Sequence, residues 1–225
     1  MRHFQQELDQ LKAKLLEMSA LVEAAVYRSV QGVVEKNEEL AQGVLKNEAR
    51  INQLEIEIDD LAIGLLALQA PMATDLRLIT AAIKINNDLE RMGDLSVSIA
   101  QSALALLNEP MIRALIDIPY IAGLAQGMVR KALDAFVSRD AELARSVLAS
   151  DDAVDNLRTA SYHELISFME SNPGQIAQAL RLVSVVRNLE RIADHATNIA
   201  EDVLFLVKGI DVRHHNEART PVART

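Results

Sequence analysis

Residues 88–102, DLERMGDLSVSIAQS, recur one hundred positions later at 188–202 as NLERIADHATNIAED. A second pair of blocks, VVEKNEELAQGVL at 33–45 and FVSRDAELARSVL at 136–148, matches at an offset of 103. Self-similarity on this scale means one folding unit built twice. The change of offset leaves three extra residues in the first copy, and the connection around Pro71 is the expected place for them.

Each copy reads as three helices. Phe4, Leu8, Leu11, Leu15, Met18, Val22, Val26, Ser29 and Val33 step by fours and threes, the seam of a long helix packed as in a coiled coil. Leu40, Val44, Ile51, Leu54, Ile58, Leu61 and Leu65 continue the pattern in a second helix, which Pro71 should end. A third helix, capped by Thr74 or Asp75, carries Leu76, Ile79, Ile83, Leu89 and Ile99. After Pro110 the scheme restarts, with helices to about Ser138, from about Asp140 to Met169, and from about Gln175 to Val207. The expected fold is all-α, two tandem three-helix bundles at 1–109 and 110–208, followed by a disordered polar tail at 209–225.

The repeated segment sets a glutamate and an aspartate four residues apart, Glu90/Asp94 and Glu190/Asp194. Like charges at that spacing repel on a helix by a few tenths of a kcal/mol. In the last helix these acids form a stripe with Thr197 and Glu201, beside the apolar seam Leu189, Ile192, Ala196, Ile199 and Val203. A neighbouring helix must therefore pass close to them. If the second hairpin turns near Pro173, Glu190 lies level with Asp155 and Asp194 with Asp151. In the first, Glu90 and Asp94 fall near Asn52 and Glu48, the counterparts of Asp155 and Asp151. Glu55 and Asp59 form another such pair but rank lower, being nearer the turn. Facing carboxylates suit a hard cation such as iron, manganese or magnesium. The competing reading is a metal-free stripe, with Arg187 neutralising Glu190 and Arg191 neutralising Asp194.

The formal charge of −9, without a basic patch interleaved with aromatics, argues against nucleic acid and leaves cations or basic protein surfaces as partners. The chain has no cysteine, no signal-type apolar run and no uncharged stretch long enough for membrane insertion, so a cytoplasmic location is expected. It shows no Gly-rich phosphate loop, no nucleophile paired with a base and no Glu-x-x-His, so no enzyme activity is expected. The seven methionines read as core filler, and His214 and His215 as tail residues.

KINNDLERMGDLSVSIA and VVRNLERIADHATNIAEDVLFLV, with LLALQAPMATDLRLI upstream, resemble the PhoU family over nearly the whole chain. The resemblance implies two similar three-helix bundles acting in bacterial phosphate homeostasis. Such a protein restrains the phosphate-specific ABC transporter and keeps a sensor histidine kinase repressing when phosphate is plentiful. The implied partners are the transporter's ATPase subunit, the kinase and a second copy in a homodimer. Some members carry metal clusters on Glu/Asp-x-x-x-Asp motifs. By that likeness the metal candidates are Glu90, Asp94, Glu48 and Asn52 in the first copy, and Glu190, Asp194, Asp151 and Asp155 in the second. Glu55, Asp59, Glu201, Asn198 and His195 form a second tier. Asn198 is expected to bond a neighbouring helix, and His195 to be a partly exposed residue near Arg191. The first copy departs from the family pattern at Leu95, Ser98 and Gln101, where the second has His195, Asn198 and Glu201, and at Asn52, which replaces an acid. The alternatives are a carboxylate-bridged metal-dependent enzyme of the helical-bundle kind, or a helical scaffold without metal.

Overall fold

In the computed structural model the described residues are 2–69, 71–110, 112, 116–210 and 212, and they contain helices and no strand. The first copy comprises α1 (Arg2–Val34), α2 (Glu38–Gln69) and α3 (Ala73–Leu106). The second comprises α4 (Ile118–Ser138), α5 (Ala141–Leu148), α6 (Asp151–Ser171) and α7 (Ile176–Lys208), with a short 3-10 turn at Pro173–Gln175 before α7. His214, His215 and the tail from 213 onward lie outside the described residues.

The repeat extends to the backbone. Lys36 and Arg139, 103 positions apart, are the two non-glycine residues with positive φ (51° and 54°) among those described, and each follows the first helix of its copy. The next residues, Asn37 and Asp140, are equivalent caps. Asn37 Oδ1 accepts from the Leu40 amide, and Asp140 Oδ1 accepts from the amides of Glu142 and Leu143. Lys36 is further held by its ammonium, which donates to the carbonyls of Leu107 and Glu109.

Two local expectations need correction. The helix expected over 140–169 is broken at Ala149–Ser150 into α5 and α6. Both residues keep right-handed backbone angles, so hydrogen bonds are interrupted without a reversal of the chain. The Ser146 hydroxyl donates to the Leu143 carbonyl and the Ser150 hydroxyl to that of Ser146, competition that weakens a helix locally. Nor do Thr74 or Asp75 cap α3. The helix begins at Ala73, and Met72 holds the cap position with extended backbone and no side-chain bond.

The seam of α1 is satisfied within the chain. Leu8, Leu11, Leu15, Met18, Val22 and Val26 are buried against α2, α3 and α4, and Ser29 turns its hydroxyl onto the Val26 carbonyl. Apolar side chains of both copies form one continuous core. Its centre is the α3–α7 contact, as extensive as the packing of α3 on α1 or α2.

Arg139 is exposed and has no ion-pair partner among the described residues. A left-handed conformation costs a side-chain-bearing residue about 1–2 kcal/mol, which glycine avoids at some cost in unfolded-chain entropy. Arg139→Gly is therefore expected to raise unfolding stability by about 0.5–1 kcal/mol in urea titrations.

Candidate functional site

α3 and α7 run antiparallel, and the polar residues that join them show how the copies are related. Asn198 Nδ2 donates to Asp88 Oδ1 at 3.3 Å, and Asn188 Nδ2 donates to Ser98 Oγ at 2.9 Å. Shifting every number by 100 converts one contact into the other, so position 88 meets 198 as 188 meets 98. The pseudo-twofold relation is chemically unequal. On one side Asp88 also accepts from His195 Nδ1 at 2.8 Å, and Lys84 pairs with Asp202 at 2.6 Å. On the other, the equivalents of His195, Lys84 and Asp202 are Leu95, Ser184 and Ser102.

Asp88, Asn188 and Asp202 are each less than 9% exposed, whereas their partners Asn198 and Lys84 reach the surface, so the contacts run along the edge of the α3–α7 interface. His195 is partly exposed as expected, its side chain 16% exposed, and its ring reaches across to Asp88 as a clasp between the copies. Asn198 bonds the neighbouring helix. Asp88, Asn188 and Lys84 were not singled out from sequence, although Asp88 and Asn188 open the two repeated blocks.

The acid stripes flank this spine. Glu90 and Glu190 are half-buried, while Asp94 and Asp194 keep more than a third of their surface exposed. Burial is the largest cause raising the Glu90 carboxyl above the usual range, followed by the charges of Asp94 and Glu55. Asp194 is raised by burial, then Glu190 and Asp155, and Asp151 by burial, then Asp194 and Asp155. In the second stripe Asp194 thus lies within electrostatic reach of Glu190 and Asp155, and Asp151 within reach of Asp194 and Asp155.

The partners of Glu90 and Glu190 are displaced toward the turns. Glu90 is opposed by Glu55, and Asn86 donates to Asp59 Oδ1 at 2.9 Å, while Asn52 is exposed and Glu48 half-buried. In the second copy Glu190 is met by Arg158, at 3.4 Å, beyond the expected level of Asp155. The cause is the lean of helical side chains toward their own N-terminus. A side chain on the third helix reaches toward the turn, and its partner on the second reaches away from it. They meet when the partner's backbone lies nearer the turn than a count of residues suggests. As a neighbour of Glu90, Glu55 thereby ranks above Glu48 and Asn52, while Asp59 is engaged one turn further on by Asn86.

The compensating charges also differ from expectation. Arg187 and Arg191 form no ion pair among the described residues. Arg91 lies 3.5 Å from Glu90, and Arg158 lies within ion-pair distance of Glu190 and Asp155. The donor set has the oxygen chemistry of a hard-cation site, but among the described residues no three Asp, Glu or His side chains converge closely enough to hold a metal. Arg158 lies where a cation would neutralise the second stripe.

Antiparallel long helices in two pseudo-equivalent sets, joined by a polar clasp and edged by paired acids, define a tandem helical-bundle protein. The PhoU domain matches residues 15–103 and again 118–203. Accordingly the chain belongs to the PhoU family. It is 40% identical over 214 residues to the phosphate-specific transport system accessory protein PhoU homolog of Pseudomonas putida, covering 95% of this chain and 84% of that one. The homolog of the same name from Aquifex aeolicus is 36% identical, over 93% and 95%. The crystal structure of PhoU from Pseudomonas aeruginosa superposes with a TM-score of 0.89 at 39% identity, over 92% of this chain and all of that one. The regulatory protein PhoU of the phosphate transport system from Streptococcus pneumoniae gives 0.85 at 29%, over 93% and 99%.

Two outcomes test the site. A carboxyl raised in the folded state makes the native protein hold more protons than the unfolded chain, so its stability contribution is present at low pH and lost as pH rises through the folded value. Asp194→Asn should therefore raise the melting temperature at pH 7, with the gain vanishing below about pH 4, where the unfolded carboxyl is itself protonated. His195→Ala leaves buried Asp88 with Asn198 as a single donor and should cost about 1–3 kcal/mol in denaturant unfolding.

Proposed function

We propose that this protein is a non-enzymatic accessory regulator of phosphate-specific transport, which restrains the ABC transporter and favours the repressing state of the sensor histidine kinase when phosphate is abundant. The observation that carries this reading is collinearity. The likeness to proteins named as transport-system accessory proteins runs over 95% of the chain, with both repeats included. The fold suits such a role, because long helices packed on one core present rigid faces to partners. No helix among the described residues is long and apolar enough to cross a membrane, so in this reading the protein acts from the transporter's cytoplasmic side. The partners are the transporter's ATPase subunit and the kinase, and the regulator works as a homodimer.

The acid stripes are the proposed cation sites, with the second better supplied because it has four carboxylates against the first copy's acids and Asn52. Iron, manganese or magnesium would relieve the mutual repulsion of these groups. Elemental mass spectrometry on protein purified without chelator is expected to find a hard cation that is lost when Glu190, Asp194, Asp151 and Asp155 are changed to their amides.

The regulatory reading has its own test. Deleting the gene should leave phosphate uptake and the starvation response active in phosphate-rich medium, and the wild-type gene should restore restraint. Unchanged uptake and unchanged response in the deletion strain would contradict the proposal.

A further inference from the structure

The α2–α3 turn ends in an apolar tip that the fold does not require. Leu68 is 80% and Met72 79% exposed, more than any other large apolar residue described, and Ile63 and Leu76 on the flanking turns of α2 and α3 are 59% and 45% exposed. The second copy supplies an internal control. Its hairpin is shorter and closes through a 3-10 turn at Pro173–Gln175. It has isoleucine at the positions equivalent to Ile63 and Leu76 (Ile166 and Ile176, also exposed), but Ser171 and Asn172 replace Leu68 and Met72. Closing a hairpin in this fold therefore needs no large apolar residue at those two positions, and exposing them costs solubility without adding to the core.

Charge follows the same asymmetry. Asp60, three residues before Ile63, and Asp75, three residues after Met72, border the first tip, with Arg77 next to Leu76 in the chain and Asp59 deeper along α2. Tyr162, His163, Gln175 and Ala177 occupy the positions equivalent to Asp59, Asp60, Asp75 and Arg77 in the second copy. Asp59 is engaged by Asn86, but Asp60 and Asp75 have no ion-pair partner among the described residues. An apolar end with an uncompensated acidic rim matches a protein groove that is apolar at its centre and basic at its edge. It matches an anionic bilayer poorly, since the rim and the net charge of −9 would both be repelled. The tip also projects beside the C-terminal end of α7, as the Lys84–Asp202 pair fixes the direction of packing.

We propose that the tip formed by Ile63, Leu68, Met72 and Leu76 is the docking knob through which this protein engages a basic-rimmed apolar groove on the phosphate transporter. This inference rests on the regulatory reading above and adds the surface and the chemistry of its partner. Leu68→Glu and Met72→Glu should leave the helical spectrum and melting temperature unchanged, because neither side chain is buried.

The experiment measures binding of the full chain to the purified transporter in neutral-lipid nanodiscs. The parent is expected to bind, with the doubly substituted variant at least about tenfold weaker, as for loss of a central apolar anchor, and Asp60→Lys weakened as well. Equal binding by parent and tip variant overturns the knob and leaves the regulatory reading standing. No binding by the parent overturns both. Tip-dependent binding to empty anionic vesicles would make lipid the occupant. A parental dimer that sediments as a monomer once the tip is substituted would make it a second copy. Hydrogen exchange at 63–76 that speeds up when residues 213–225 are removed would make it the chain's own tail. Each of these three results overturns the proposal.

Discussion

The antiparallel packing of α3 on α7 is the constraint on which the rest of the molecule depends. Each helix closes its own copy, so the same two helices serve as the third member of a bundle and as the interface between bundles. Two faces of each must then be apolar, which accounts for the eighteen buried residues of α3. It also explains Gly93. An added Cβ there would meet the Ile51 side chain at 3.3 Å, so the small residue lets α3 lie close to α2 while its other side faces α7. The polar pairs at the spine are then register marks. An interior carboxylate such as Asp88 tolerates few alternative alignments, because sliding α7 by one turn would strip it of both donors.

The acid stripes follow from that arrangement. Apolar residues occupy the two buried faces, and the remaining polar arc lies at the edge of the hairpin cleft, half-shielded by α2 or α6. Carboxylates placed there feel burial and one another at once, and Glu90, Asp151 and Asp194 rise above their ordinary range for that reason. Such a site stores unfavourable charge. It accepts protons, arginine or cations, and the stripe in the second copy already takes the middle course through Arg158.

Much of the architecture was legible because it is periodic. The four-three steps of α1, the turn-forming Pro71 and Asn172-Pro173, and the offset repeats all express local rules, and the helices lie where those rules put them. The break before Asp151 was not legible, since it depends on serine hydroxyls choosing carbonyls that a continuous helix would otherwise use. The partners of Glu90 and Glu190 were misread by most of a turn because counting from the loop treats side chains as perpendicular to the axis, whereas Asp194 and Asp151 do act on each other as the count suggests. The clasp was the least accessible. Asp88, His195 and Asn198 are contiguous only once α3 and α7 have been paired, and nothing within either helix announces which partner it will take. The exchange of His195 and Asn198 for Leu95 and Ser98 between copies was visible, but without the antiparallel pairing it read as a difference between two sites and not as two ends of one interface.

If the α3–α7 spine unites both copies, neither bundle retains its core when the other unfolds. Differential scanning calorimetry of the full chain tests this most directly. A single transition whose calorimetric and van't Hoff enthalpies agree, with a ratio of about one, is the predicted result. Two resolvable transitions, or a calorimetric enthalpy about twice the van't Hoff value, would show the copies melting independently and would contradict a shared spine.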